Sequence, residues 1–382
     1  MTARDHDPIL PRLSSSPRRL LGPGPSNVHS RVREAMAQPL LGHLDPDFLA
    51  ILDGVQGALR ELFGTGNRFT LPLSATGSAG MEACLVNLLE AGDRVVIGVN
   101  GVFGGRMVDV ATRAGAEVTR VDAQWGSPLD ESAMVEAIHT IRPKVVAFVH
   151  AETSTGVRQD PETIAQAARE AGALMVLDCV TSLAGIPVEL DRWGIDAAYS
   201  GTQKCLSCPP GLSPVSFSPR ALEVVASRQT PVQSWYLDVG LLDGYYGGER
   251  VYHHTAPISA IYGLAEGLTR VREEGMEKRA TRHANAARYL LERLTPLGFT
   301  PLVAEENRLP MLTTLQLPDR VNALGEAEVR SALLARHGIE VGGGLGELAG
   351  QVWRVGLMGD NASEESVDAL AGALEEELEA SH

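Results

Sequence analysis

Leu174-Met175-Val176-Leu177-Asp178-Cys179-Val180-Thr181-Ser182 is the stretch from which the fold is read. Four consecutive apolar residues are too few for a helix and show no alternation, so they predict a strand buried on both faces, as in a parallel sheet. Similar runs stand at residues 95–97, 145–149 and 197–199. Helical spacing fills the intervals near 104–114, 130–141 and 161–171. Upstream, residues 47–63 place Phe48, Ile51, Leu52, Val55, Leu59 and Leu62 on one helical side, and 81–89 read as a further helix. Strands alternating with helices predict an α/β unit: a mostly parallel central sheet flanked by helices. After Pro257 the pattern turns helical over 258–274 and 276–294. The tail then reads strand 313–317, helix 326–337, strands 339–341 and 352–355, and helix 363–378. We expect a large domain over residues 20–279, a smaller C-terminal α+β domain over 280–382, and a disordered extension over 1–19.

The chain has 382 residues, enough for two cores. Its net charge of −15 argues against nucleic acid or an anionic membrane as partner. No apolar run approaches the roughly 18 residues of a membrane span, and the first stretch has no apolar core of a secretory signal. Four cysteines, Cys84, Cys179, Cys205 and Cys208, indicate a reducing compartment, and the cytoplasm is the expected location. Of 33 basic residues only Lys144, Lys204 and Lys278 are lysines.

That scarcity gives Lys204 its weight. It follows a strand through Ser200-Gly201-Thr202-Gln203, in a chain that uses arginine nearly everywhere else. Lysine can lose its proton and add to a carbonyl, whereas arginine cannot. Lys144 and Lys278 fit solvated positions. Asp178 ends a strand, where ligands of open α/β sheets collect, although an acid there also caps turns. A carboxylate paired with a reactive amine suits pyridoxal phosphate, whose pyridine nitrogen is kept protonated by an acid. Ser74-Ala75-Thr76-Gly77-Ser78-Ala79-Gly80 opens a helix with small residues and free N–H groups, which suits a phosphate.

Five segments carry a resemblance to a known family: Leu21-Gly22-Pro23-Gly24-Pro25-Ser26-Asn27, Thr76-Gly77-Ser78, Glu152-Thr153-Ser154-Thr155-Gly156, Tyr199-Ser200-Gly201-Thr202-Gln203-Lys204 and Tyr252-His253-His254-Thr255-Ala256-Pro257. They resemble, in the same order over about residues 20–378, the alanine–glyoxylate/serine–pyruvate aminotransferases, a class V branch of fold-type I pyridoxal-phosphate enzymes. The resemblance implies Lys204 as the Schiff-base lysine and Asp178 as the pyridinium partner. It implies Val180 and Phe103 on the two faces of the ring and Thr153 near the ring oxygen. Phosphate contacts fall to Thr76, Gly77 and Gln203, with Tyr252 and Thr255 from a second subunit of a homodimer. Relatives often carry Trp at the Phe103 position, and a relative has His at the Ser78 position. Arg354, in Val352-Trp353-Arg354-Val355-Gly356, resembles the arginine that holds the substrate carboxylate, and Gly24 would let backbone approach the same group. The implied reaction moves an amine from alanine or serine to glyoxylate or pyruvate.

Other readings fare worse. Gly344-Leu345-Gly346-Glu347-Leu348-Ala349 fits a dinucleotide fingerprint, but a strand resumes by Val352 and leaves no room for the required helix. Thr76 to Gly80 lacks the first glycine of a hydrolase nucleophile elbow. Cys205-Leu206-Ser207-Cys208 lacks two further ligands for zinc, and His253-His254 would face opposite ways in a strand, so no metal is expected. A desulfurase or lyase of the same class would need a C-terminal cysteine, and no cysteine follows Cys208. A silent scaffold would show decay at Lys204, Asp178 or Arg354.

Overall fold

The computed structural model describes residues 17–379. Its larger sheet has seven strands in the order Phe69–Leu73, Ser213–Phe217, Ala197–Tyr199, Leu174–Asp178, Val145–Val149, Arg94–Val99 and Glu117–Asp122. Ser213–Phe217 runs antiparallel to both neighbours, and the pairings from Ala197–Tyr199 to Glu117–Asp122 are all parallel. Its central parallel strands are apolar without alternation, as strands covered by helices on both faces are. Val145–Val149 and Leu174–Asp178 are buried at every position. From Arg94–Val99 the chain steps outward to Glu117–Asp122, then returns to the opposite side at Val145–Val149 and continues away. This reversal opens a crevice at the carboxyl ends of Arg94–Val99 and Val145–Val149, the usual ligand position in open α/β sheets.

A second sheet, with strands in the order Arg19–Leu21, Ile339–Gly343, Val352–Gly356, Leu312–Gln316 and Thr300–Pro301, has a separate apolar core that includes Leu290, Phe299, Leu333, Trp353, Val355 and Leu370. The helix Met276–Leu294 passes through position 280 unbroken. Met276 packs on the larger core, while Ala286, Leu290 and Leu294 belong to the smaller one. Fully buried Arg279, near the helix start, donates through Nε to Ala184 O (2.8 Å) and through Nη2 to Cys205 O, and pairs with Glu274 at 2.6 Å.

Several expectations need correction. Residues 1–16 of the expected disordered extension lie outside the described residues, but Arg19 is already in a strand, paired in parallel with Ile339. The helix read from 81 begins at Gly77, and the one read from 104 begins at Val102, because glycines in a first turn blur the apolar spacing. Phe69–Leu73, Glu117–Asp122 and Ser213–Phe217 were not anticipated as strands. His253 and His254 are in no strand. Their Nδ1 atoms lie 2.8 Å apart, and the His253 ring stacks on Trp235 with centroids 4.4 Å apart. Among the described residues no group of three or more His, Cys, Asp or Glu is placed to hold a metal, all four cysteines are buried and unpaired, and no helix is long and apolar enough to cross a membrane.

Candidate active site

The strand ends deliver the site. Asp178 closes Leu174–Asp178, the segment from Tyr199 to Lys204 leaves Ala197–Tyr199, Thr153 follows Val145–Val149, and Phe103 follows Arg94–Val99. Gly77 and Ser78 open the helix Gly77–Leu88 beyond Phe69–Leu73. These termini surround a cavity of about 170 Å³ whose wall includes Gly77, Ser78, Phe103, Thr153, Asp178, Val180, Gln203 and Lys204. Eight of the expected residues thus share one cavity, although they span more than a hundred positions of sequence.

The remaining expected residues stand around this wall. Gly24, at φ +109°, lies against Lys204, and a Cβ there would come within 2.5 Å of Lys204 Nζ, so only glycine fits. Arg354 reaches in from the middle strand of the smaller sheet. Its Nε donates to Gly343 O at 2.8 Å and its Nη1 to Thr153 O at 3.2 Å, which fixes the guanidinium beside the cavity. Thr76 is the N-cap of Gly77–Leu88, yet its hydroxyl makes no capping bond, and it is exposed at the rim. Tyr252 and Thr255 are not in the cavity of their own chain. Tyr252 is 59% exposed, and its hydroxyl lies 3.5 Å from Thr255 Oγ1.

Burial sets the electrostatics. Lys204 donates to Pro23 O, and burial pulls its ammonium down to about 8, a drop that Arg354's charge deepens. Asp178 is pushed up to about 7 by burial, against the pull of hydrogen bonds from Val180 N–H and the Tyr199 hydroxyl. The turn-capping function of Asp178 is real, since Val180 N donates to Oδ1 at 2.7 Å, but its Oδ2 is engaged by Tyr199. Burial also lowers Arg354 to about 10, which leaves it charged near neutral pH.

Three residues at the site were missed. Glu152 is fully buried. Its Oε2 accepts from the Phe103 and Gly104 N–H groups (3.1 and 3.3 Å), and its Oε1 from Ser154 N and Oγ (3.0 and 2.6 Å). It thereby caps the helix Val102–Arg113, whose N-cap, Gly101, has no side chain to do so. An acid so soon after the apolar run 145–149 was the available signal. Arg106 extends over Phe103, with its guanidinium carbon 4.9 Å from the ring centroid, and donates to Ser78 Oγ at 3.2 Å. Its place in the first turns of a helix whose start was misread concealed it. Tyr199 stands in a motif that gives it no role by itself, because its alignment with Asp178 depends on the strand register.

The walls fit a flat phosphorylated ring. Gly77 gives close access to the helix start, since a Cβ there would meet Val180 Cγ2 at 3.3 Å and Ser200 O at 3.4 Å. The buried Gln203 Oε1 has no partner among the described residues, the unmet polar end that a ligand or its water satisfies. A buried acid and a buried amine line the same cavity. An open α/β sheet carrying these groups at its carboxyl edge defines a pyridoxal-phosphate enzyme.

Comparison with known proteins narrows the class. The aminotransferase class-V sequence profile matches residues 26–370, and the chain belongs to that family. It is 39% identical over 367 residues to an alanine–glyoxylate aminotransferase of Drosophila melanogaster, covering 95% of this chain and 92% of that one. The crystal structure of an alanine–glyoxylate aminotransferase from Nostoc sp. superposes with a TM-score of 0.93 at 51% identity, covering 96% of this chain and 97% of that one. That of the ureidoglycine–glyoxylate aminotransferase from Bacillus subtilis superposes with a TM-score of 0.94 at 36% identity, covering 97% and 95%. The protein is an aminotransferase and its cofactor is pyridoxal phosphate.

Proposed function

We propose that this enzyme moves the amine of a small L-amino acid, alanine or serine, to a small 2-oxo acid, glyoxylate or pyruvate. The observation that carries the reading is Lys204 and Asp178 in the wall of one cavity, with Arg354 bonded to Thr153 of that wall, together with relatives named for glyoxylate as acceptor. Bound pyridoxal phosphate supplies an aldehyde that takes up the substrate amine and a ring that accepts the electrons released at Cα. Lys204 holds the cofactor and, when free of it, carries the proton from the substrate Cα. Its depressed pKa keeps a share of Nζ neutral and able to do so near pH 8. Asp178 would pair with the ring nitrogen. Phe103 and Val180 would bound the two ring faces, and Glu152 holds the Phe103 backbone in place. Gly77, Ser78, Thr76 and Gln203 would hold the phosphate, while Thr153, Gly24 and Arg354 would fix the substrate carboxylate.

A homodimer completes this reading. Tyr252 and Thr255 are exposed on their own chain, and Leu40, Leu44, Val251 and Trp235 are large apolar side chains left open to solvent. A second copy would cover them and bring Tyr252 and Thr255 to its partner's phosphate. Four buried, unpaired cysteines suit the reducing cytoplasm.

A screen of the holoenzyme decides the substrates. Alanine, serine and (S)-ureidoglycine are offered as donors to glyoxylate and to pyruvate, and product amino acids are quantified. Turnover with alanine or serine is expected. Failure of every small donor while the cofactor stays bound defeats the substrate assignment. Arg354→Ala should lower kcat/KM for the amino acid by roughly 100-fold or more, as loss of a buried charge pair does, with cofactor affinity little changed.

A further inference from the structure

We propose that Tyr199 is a positioning residue that keeps the Asp178 carboxylate aimed at the cofactor's ring nitrogen and in its proton-accepting form. Register places it there. Leu174–Asp178 and Ala197–Tyr199 are adjacent parallel strands in which Asp178 pairs with Tyr199, so both side chains leave the same face of the sheet. The Tyr199 hydroxyl donates to Asp178 Oδ2 at 2.7 Å, and both residues line the cavity. Tyr199 is 0% exposed and cannot swing aside. The helix Gly77–Leu88 lies directly on it at Gly80, where a Cβ would come within 3.0 Å of Tyr199 Cβ and 2.1 Å of Ser213 Oγ. Its own carbonyl is held by Cys179 N–H at 2.8 Å.

The chemistry follows from counting donors. Each Asp178 oxygen has one protein donor, Val180 N–H on Oδ1 and Tyr199 O–H on Oδ2, and retains lone pairs for the cavity. Burial alone favours the neutral acid, which would offer a proton to the ring nitrogen instead of accepting one. Two donors favour the anion, and the anion leaves the proton on nitrogen. Removing the Tyr199 hydroxyl strips away one of the two, so the shared proton should drift towards Asp178. The effect on cofactor affinity is roughly tenfold, the usual worth of a hydrogen bond to a charged group.

This inference rests on the proposed role of Asp178, and the test separates the two. Wild type, Tyr199→Phe and Asp178→Ala are each titrated with pyridoxal phosphate and with its 1-deaza analogue, which has CH in place of the ring nitrogen. Wild type should prefer pyridoxal phosphate. Tyr199→Phe should lose about tenfold of that preference with unchanged affinity for the deaza analogue, and the ¹⁵N resonance of labelled cofactor should move from the pyridinium towards the pyridine position. If Tyr199→Phe keeps the wild-type preference and ¹⁵N shift, or loses affinity for both ligands equally, Tyr199 only fills space and the inference fails. If Asp178→Ala also keeps the preference, the assignment of Asp178 itself is what has failed.

Discussion

Lys204 shows how much one residue can reveal. Three lysines among 33 basic residues made its position informative, because the chain could have used arginine wherever charge alone mattered. Asp178 was legible for a related reason, being an acid at the end of an apolar strand. Tyr199 and Glu152 were not, since a hydrogen bond across adjacent strands and a cap supplied from another loop exist only after the sheet has formed. Burial of Lys204 has a measurable consequence. Its folded pKa, about 8, lies below the ordinary lysine value of 10.5, so the neutral amine appears at lower pH than in a solvated lysine. The rate at which apoenzyme captures pyridoxal phosphate should rise with pH through a midpoint near 8, followed by absorbance of the bound cofactor. A midpoint near 10 would show that the amine is solvated. Lys204→Arg keeps the charge and should abolish turnover.

Elements were legible where strands were unbroken and apolar, and illegible where they carried proline. Ser213–Phe217 contains Pro214 and Phe69–Leu73 contains Pro72, and proline argues against a central strand. The register resolves the contradiction: Pro72 lies on the edge strand with its carbonyl turned outward to the Tyr246 hydroxyl (3.1 Å), while the Pro214 carbonyl accepts from Ser200 N–H at 2.8 Å and Ser213 Oγ donates to Ser200 O at 2.7 Å in place of the N–H that Pro214 lacks. Glu117–Asp122 is an edge strand with no fully buried residue, too polar to declare itself. Helix Gly77–Leu88 depends on a missing side chain. Gly80→Ala should destabilise the protein by about 1–3 kcal/mol through overpacking against Ser213 and Tyr199, read as a lower urea midpoint. At the start of Val102–Arg113, Glu152→Ala should cost about 2 kcal/mol, the upper range for a lost cap. It should also loosen the loop bearing Phe103, seen as weaker cofactor binding in a fluorescence titration. Retained stability together with retained affinity would show that the carboxylate is dispensable.

Across the whole molecule, the two cores communicate through a few buried polar groups. Arg279 is 1% exposed and bonds the carbonyls of Ala184 and of Cys205, the residue after Lys204. His283, one turn further along the same helix, accepts from Gly359 N–H at its Nε2 (3.0 Å) and meets Arg279 O with its Nδ1 (2.7 Å), so Nδ1 carries the proton. Burial drives its pKa down to about 3 from 6.5. The unfolded chain therefore binds this proton first as pH falls below about 6.5, and stability declines from there towards pH 3. At pH 5 the loss from this group should be about 2 kcal/mol. His283→Gln should be less stable at pH 7 but lose about that much less between pH 7 and pH 5 in urea titrations. Other shifted groups, Asp178 among them, are common to both proteins and cancel. The edge strand Arg19–Leu21 carries a different implication. It zips onto Ile339–Val341, and just beyond it Pro23, Gly24 and Ser26 rest on Lys204. A ribosome releases Arg19–Leu21 long before Ile339–Val341 exists, so the catalytic amine must wait, with one wall missing, until that later strand has been made.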